Sequence, residues 1–349
     1  MSSFFAGVIE GFYGRQWTWS ERHDHIDFLS STGLQTYIYA PKGDVFLRSR
    51  WAEPWPLDVF DELRALSEHC RESNIEFGIG LSPLALFRHY NEAGRSALLE
   101  KVSLINQLDV AVLCVLFDDM PGDFTGLAKQ QLAIVNDVLS VSGASRHIVC
   151  PTYYSHDPVL EDVFGKMPEY YFEELGEGLK PSIDVFWTGD KVISPCVKAE
   201  HLIDISEKLQ RKPVLWDNII ANDGKKTADF LRLMSISGRS DDLPSALSGQ
   251  LINPMNQPYL SQLPLTSVLP NYHQSISFEQ VAEQHLPDNL SRLIIRDYAF
   301  FNKRGLLGLS EADKTLKIEE YQQCNHAVAK EVIRWLSGDY CFDPACLTG

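Results

Sequence analysis

Over roughly the first 260 residues, short apolar runs alternate with stretches whose apolar positions recur at helical spacing. Residues 5–10, 36–40, 76–81, 110–117, 147–152, 184–187, 213–216 and 249–252 are apolar, with β-branched and aromatic side chains prominent among them. Runs of this kind read as strands buried on both faces, the pattern of a parallel sheet. Between them, residues 20–31, 58–73, 93–108, 126–140, 158–175, 198–210 and 226–234 read as helices. In the second of these, Val59, Leu63 and Leu66 share one face, and Ser20 stands where an N-cap would open the first. Eight strand–helix units in this order predict a (β/α)8 barrel over residues 1–268. Beyond about Leu265 the strand pattern stops. Residues 277–300 and 310–336 read as two long helices, so residues 269–349 form a C-terminal helical appendage that also supplies the eighth strand's helix.

Polar residues cluster at one end of the strands. The run from Val110 to Phe117 closes on Asp118-Asp119, two carboxylates that have no place in apolar packing. Strand one ends in Glu10-Gly-Phe-Tyr-Gly14, strand two in Pro41-Lys42-Gly-Asp44 and strand five in Pro151-Thr-Tyr-Tyr154. Strand six ends in Trp187-Thr-Gly-Asp190, strand seven in Trp216-Asp-Asn218 with Asn222-Asp223 beyond, and strand eight in Asn253-Pro254. In a (β/α)8 barrel the C-terminal ends of the strands carry the active site. Each motif has a plainer use. Gly11 and Gly14 suit turns, Lys42 a solvated surface, Trp187 and Trp216 a cap on the barrel core, and Asn218, Asp223 and Asn253 loop caps. Their convergence on one rim is the stronger signal. Aromatic faces stack on pyranose rings, and amides and carboxylates pair with hydroxyls that both donate and accept.

Adjacency constrains what the two acids do. Successive side chains on a strand point to opposite faces, so Asp118 and Asp119 reach one cavity only if the chain leaves the strand at Asp119. Met120-Pro121-Gly122 provides such an exit. Like charges held together raise the proton affinity of at least one carboxyl, which suits a general acid. A retaining glycosidase of the usual kind flanks the scissile bond with carboxyls roughly 5 Å apart, one of them the nucleophile. Neighbours in sequence fit that geometry poorly. They fit substrate assistance, in which the sugar's 2-acetamido oxygen attacks, one carboxylate orients the acetamide and the other handles the leaving-group proton. A divalent metal on the pair would lack further ligands nearby, so no metal or other cofactor is expected.

Bulk properties narrow the partners. The 349 residues, 44% hydrophobic, suffice for one barrel with a small addition. A net charge of −16 without a basic run excludes nucleic acid and weighs against polyanionic hyaluronan. The seven cysteines are scattered, with Cys114 and Cys150 inside strands, which fits a reducing compartment. Cys341 and Cys346 alone have the spacing of a metal or disulfide pair, without a second pair to complete a site. No leader-like N-terminal segment and no run of about 18 apolar residues is seen, so a cytoplasmic protein without membrane contact is expected.

Taken in order, Gly7-Val-Ile-Glu-Gly-Phe-Tyr-Gly14, Tyr39-Ala-Pro-Lys42, Phe117-Asp-Asp119, Pro151-Thr-Tyr-Tyr154, Trp187-Thr-Gly189, Trp216-Asp-Asn218 with Asn222-Asp223, and Asn253-Pro254 resemble glycoside hydrolase family 84. That family comprises the O-GlcNAcases and related bacterial β-N-acetylglucosaminidases. The resemblance covers roughly residues 5–255 and implies a metal-free retaining exo-enzyme acting on terminal β-linked GlcNAc through an oxazoline. It implies that Asp118 polarises the acetamide and Asp119 is the acid/base. The Gly11 backbone, Lys42, Asp223 and Asn253 would bind sugar hydroxyls, and Asn218 the sugar or acetamide. Tyr154, rather than Tyr153, would support the acetamide-derived oxygen, while Thr188 and Trp216 would receive the N-acetyl methyl. The appendage is shorter than the family's stalk region, which in some relatives dimerises, so a homodimer is one possible state. Two other readings stay open: a non-catalytic glycan-binding barrel, and an endo-acting hyaluronidase-type glycosidase.

Overall fold

The computed structural model describes residues 4–272, 276–340 and 342–346, without the side chain of Asn271. Eight strands form one closed parallel barrel in sequence order. They are β1 (Phe5–Glu10), β2 (Thr36–Tyr39), β3 (Glu76–Leu81), β4 (Val112–Leu116), β5 (Arg146–Cys150), β6 (Ile183–Trp187), β7 (Val214–Asp217) and β8 (Gly249–Ile252). Closure comes where β1 pairs with β8, Phe5 opposite Gly249 and Val8 opposite Ile252. The strands are almost wholly buried because the barrel packs one face and the helices cover the other.

The helices between strands are α1 (Trp19–Ser30), α2 (Leu57–Glu72), α3 (Glu92–Asn106), α4 (Leu127–Val141), α5 (Val159–Phe164), α6 (Tyr171–Gly178), α7 (Ile203–Leu209) and α8 (Leu243–Ala246). After β8 come α9 (Pro258–Leu265), α10 (Phe278–His285), α11 (Asp288–Lys303), α12 (Glu311–Gln322) and α13 (Ala327–Leu336). The first helix is capped by Thr18, not Ser20: the Thr18 hydroxyl accepts from the Glu21 N–H, and the Glu21 carboxylate accepts from the Thr18 N–H.

Other departures from the expected elements have local causes. Residues 158–175 hold two helices, separated where Gly165 and Tyr170 adopt positive φ. In residues 198–210 a 3₁₀ turn precedes α7. Residues 226–234 form no helix. Leu231 and Leu233 are instead buried two apart, an extended spacing, in the appendage's core. Helix 277–300 breaks at Pro287, which cannot donate in a continuing helix, and 310–336 breaks at 323–326. The eighth strand's helix is α9, which starts on Pro258 and ends at Leu265, ahead of the region expected to supply it.

Two buried cores result. One fills the barrel and its helical sleeve. The other joins Phe278, Val281, Ile294, Phe301, Tyr321, Val332 and Trp335 of the appendage to Leu231, Leu233, Met255, Leu260 and Leu263. The appendage is therefore packed onto the chain segments that follow β7 and β8. Cys341 lies outside the described residues, so the Cys341–Cys346 pair does too. Among the described residues no helix is long and apolar enough to cross a membrane, and no group of His, Cys, Asp and Glu side chains is placed to hold a metal ion.

Candidate active site

The strand ends converge on a cavity of about 550 Å3, counted with its open mouth. Gly11, Lys42, Asp118, Asp119, Tyr154, Thr188, Trp216, Asn218, Asp223 and Asn253 all line it. These ten candidates from the sequence are thus brought to one place. Trp187 is not. It is fully buried, edge-on to His156 and Phe172, and acts as core. Asp44 also stays out of the cavity. Its carboxylate accepts from the Tyr39 hydroxyl, the Trp55 indole N–H and the Phe46 N–H, fixing the loop that carries Lys42. Asp217 points away from the cavity, where the Arg239 guanidinium pairs with it and the Gln250 amide N–H donates to it.

The adjacent acids face the same space because the backbone turns between them. Asp119 has φ +55°, in the left-handed region, which redirects a side chain that strand geometry would send outward. A non-glycine residue held there costs on the order of 1–3 kcal/mol and persists only where its surroundings impose it. Asp118 accepts from the Lys42 ammonium through Oδ2. Its Oδ1 is buried and has no hydrogen-bond partner among the described residues. Such an oxygen is costly unless something arrives to donate to it.

Asp119 is differently placed. Its Oδ2 accepts from the Tyr13 hydroxyl at 2.8 Å and its Oδ1 from the Tyr154 hydroxyl at 3.0 Å. Burial first, then the neighbouring Asp118 charge, push its carboxyl above the usual carboxylate range, against the opposing pull of Lys42 and Arg48. One acid therefore sits beside an ammonium with an open acceptor oxygen, while the other tends to hold a proton. Burial also raises Asp223, to about 6, although the Tyr13 N–H donates to it at 2.8 Å.

The remaining walls are pre-set. The Trp216 indole donates to Asn218 Oδ1 at 3.0 Å, Asn253 Nδ2 donates to the same oxygen at 3.0 Å, and Asn253 Oδ1 accepts from the Gly11 N–H at 3.2 Å. Gly11 is needed for a steric reason: a Cβ there would lie 2.4 Å from the Trp216 ring. The Lys42 ammonium is 5.7 Å from the centre of that ring. Tyr154 faces the cavity, whereas the Tyr153 hydroxyl points away and donates to the Gly165 carbonyl.

Sequence reasoning passed over several residues. Tyr13 lies two positions past Gly11 in a stretch already singled out, so its place was signalled. Arg48, which donates to the Asp119 carbonyl at 2.9 Å, carries no signal in the sequence. Cys150, Val192 and Ile193 add apolar lining near Thr188 and Trp216, and Cys346 of the C-terminal segment reaches the cavity as well.

Comparison with known proteins agrees with this geometry. The profile of a family described as β-N-acetylglucosaminidase matches residues 6–294. Mouse and rat proteins named protein O-GlcNAcase are each similar, at 34% identity over 260 residues, or 72% of this chain and 28% of theirs. The chain thus spans well under a third of the length of those relatives. A solved structure of a point mutant of the O-GlcNAc hydrolase of Thermobaculum terrenum is similar with a TM-score of 0.77 and 27% identity, covering 97% of this chain and 75% of that one.

Proposed function

The chain belongs to the β-N-acetylglucosaminidase family of glycoside hydrolases, and from that premise we propose that it releases single terminal β-linked GlcNAc residues from a glycan or glycoprotein, with retention, by substrate assistance. The observation that carries the reading is the division of labour within the acid pair. Asp118 presents a buried oxygen with no donor among the described residues, and Asp119 has raised proton affinity beside it.

In this mechanism the substrate's acetamide N–H donates to Asp118 Oδ1, which increases the electron density on the acetamide oxygen. That oxygen attacks the anomeric carbon as the glycosidic bond breaks, giving an oxazoline. Asp119 passes its proton to the leaving oxygen in the same step. The nucleophile is intramolecular and so acts at a high effective concentration. Asp119, now a carboxylate, takes a proton from water as that water attacks the anomeric carbon and opens the ring. The hydroxyls of Tyr13 and Tyr154 hold Asp119 through both states. Thr188 and Trp216, with Cys150 and Val192 around them, receive the acetamide methyl. Lys42, Asp223, Asn218, Asn253 and the Gly11 backbone take the sugar's polar edge, a closed arrangement that favours exo action over endo.

The test is turnover of an aryl N-acetylglucosaminide against the matched aryl glucoside. Asp118→Asn and Asp119→Asn should each lose activity by about 100-fold or more. Azide should partly restore only the Asp119 variant, on substrates with good leaving groups. Comparable glucosidase turnover would sink the mechanism, and binding of an oxazoline mimic without hydrolysis would favour a non-catalytic barrel. Matched turnover of an O-GlcNAc peptide and a chitobiose-type disaccharide then identifies the aglycone.

A further inference from the structure

We propose that Arg48 is a positioning residue for the hydrolysis: by holding the Asp119 carbonyl against the end of β3, it keeps the second carboxyl of the adjacent pair inside the cavity. The proposal rests on the reading of Asp119 as acid/base. Arg48 lies on the loop between β2 and α2, six residues beyond Lys42. Its Nη2 donates to the Asp119 carbonyl at 2.9 Å, and its Nη1 donates to the Ser82 hydroxyl, just past β3, at 2.8 Å. The Ser82 N–H in turn donates to the Leu47 carbonyl at 2.9 Å. A planar guanidinium spans two acceptors set by two different strands. The carbonyl it holds belongs to the residue whose φ of +55° brings the carboxyl round.

The loop thereby engages both acids in different ways. Lys42 meets the Asp118 side chain, and Arg48 meets the Asp119 backbone. Asp118 is held by β4 and by Lys42, so losing Arg48 leaves the acetamide's partner in place. The loss falls on the proton donor. The charged and titratable groups around Asp119 are Asp118 at the end of β4, Lys42 and Arg48 on the β2–α2 loop, and Tyr13 on the β1–α1 loop. Cys150 at the end of β5, Tyr154 beyond it and Asp223 beyond β7 also face it. Arg48 is one of the two cations, and it favours the Asp119 carboxylate.

The experiment compares kcat/KM on phenyl and 2,4-dinitrophenyl N-acetylglucosaminides. The dinitrophenolate leaves without a proton, so it reports nucleophilic assistance alone. Arg48→Met should lose about 100-fold on the phenyl substrate and less than about 5-fold on the dinitrophenyl one. The basic limb of its pH profile should move to higher pH, because the cation that favours the carboxylate is gone. Arg48→Lys keeps the charge but cannot reach both acceptors. Its pH limb should stay near wild type while a smaller leaving-group-selective loss remains. Ser82→Ala, which frees one arm of the guanidinium, should show the same selectivity more weakly, and these two variants carry the test if Arg48→Met does not fold. Equal losses on both substrates, or wild-type behaviour in all three variants, would overturn the assignment. If the wild type itself hydrolyses neither glycoside, the functional reading fails instead.

Discussion

Asp223 shows how one half-buried carboxyl can set the acidic limit of the whole site. It lines the cavity, and its carboxyl is pushed up to about 6 by burial, which backbone N–H groups, that of Tyr13 at 2.8 Å among them, offset only in part. A sugar hydroxyl donates well to a carboxylate and poorly to a carboxylic acid, so binding at this point needs the ionised form. As pH falls through about 6 the group gains a proton and loses its acceptor strength. We expect kcat/KM for an aryl N-acetylglucosaminide to decline below about pH 6, and Asp223→Asn to lower kcat/KM while removing that limb. A limb that persists unchanged in the variant would assign it to another group. Single residues were partly legible in the chain. Asp118 and Asp119 stood out because charge at the end of an apolar run has nowhere to go except a polar cavity. That both face the cavity was not legible. Strand alternation argues against it, and the positive φ that overrides alternation accompanies a contact from Arg48, 71 residues away.

Secondary-structure elements were legible where burial on both faces writes a continuous apolar run, as in all eight strands. They were less so where the chain serves two cores at once, as in residues 226–234, or where loop geometry splits a helix, as at Gly165 and Tyr170. What aligns the elements at the catalytic end is a buried polar ring that no periodicity shows. Gln131 of α4 donates to the Thr152 hydroxyl, which donates to the Phe117 carbonyl beside Asp118. The Tyr171 hydroxyl of α6 donates back to Gln131 and accepts from the Thr152 N–H. All three side chains are buried, so each bond lost leaves a polar group without water. Gln131→Leu strands the Tyr171 O–H and a lone pair of Thr152, and should cost about 2–4 kcal/mol in denaturant unfolding. An unfolding midpoint unchanged from wild type would show that the ring does not hold the ends of β4 and β5.

At the scale of the whole molecule, one polar contact between the appendage and the barrel, beside their shared apolar core, is a buried carboxylate. Glu331 of α13 accepts from the N–H groups of Tyr259 and Leu260, in the first turn of α9, which follows β8 and its Asn253. The same segment reaches the site by another route, since Asn256 donates to the Tyr13 carbonyl and accepts from the Trp17 indole. Docking of the appendage is thus continuous with the wall that holds Tyr13 against Asp119. Burial dominates at Glu331 and pushes its carboxyl up to about 8, although two N–H donors favour the charged form. An unfolded glutamate titrates near 4.3. Between these values the folded state binds more protons than the unfolded one, so stability is complete below the unfolded value and falls as pH rises through about 8. Glu331→Gln carries no charge at any pH, but it gives up one of the two acceptor oxygens. At pH 5 the variant should therefore be the less stable protein, because its amide NH2 meets one backbone N–H donor to donor, whereas the largely neutral wild-type carboxyl still turns an oxygen, one of them a weaker acceptor, to each. At pH 8.5 the wild type carries a buried charge, and the gap should narrow or reverse. Urea unfolding of both proteins at the two pH values decides it. A difference that stays constant across pH would mean that Glu331 does not titrate where its surroundings place it, and that some other contact couples the appendage to the barrel.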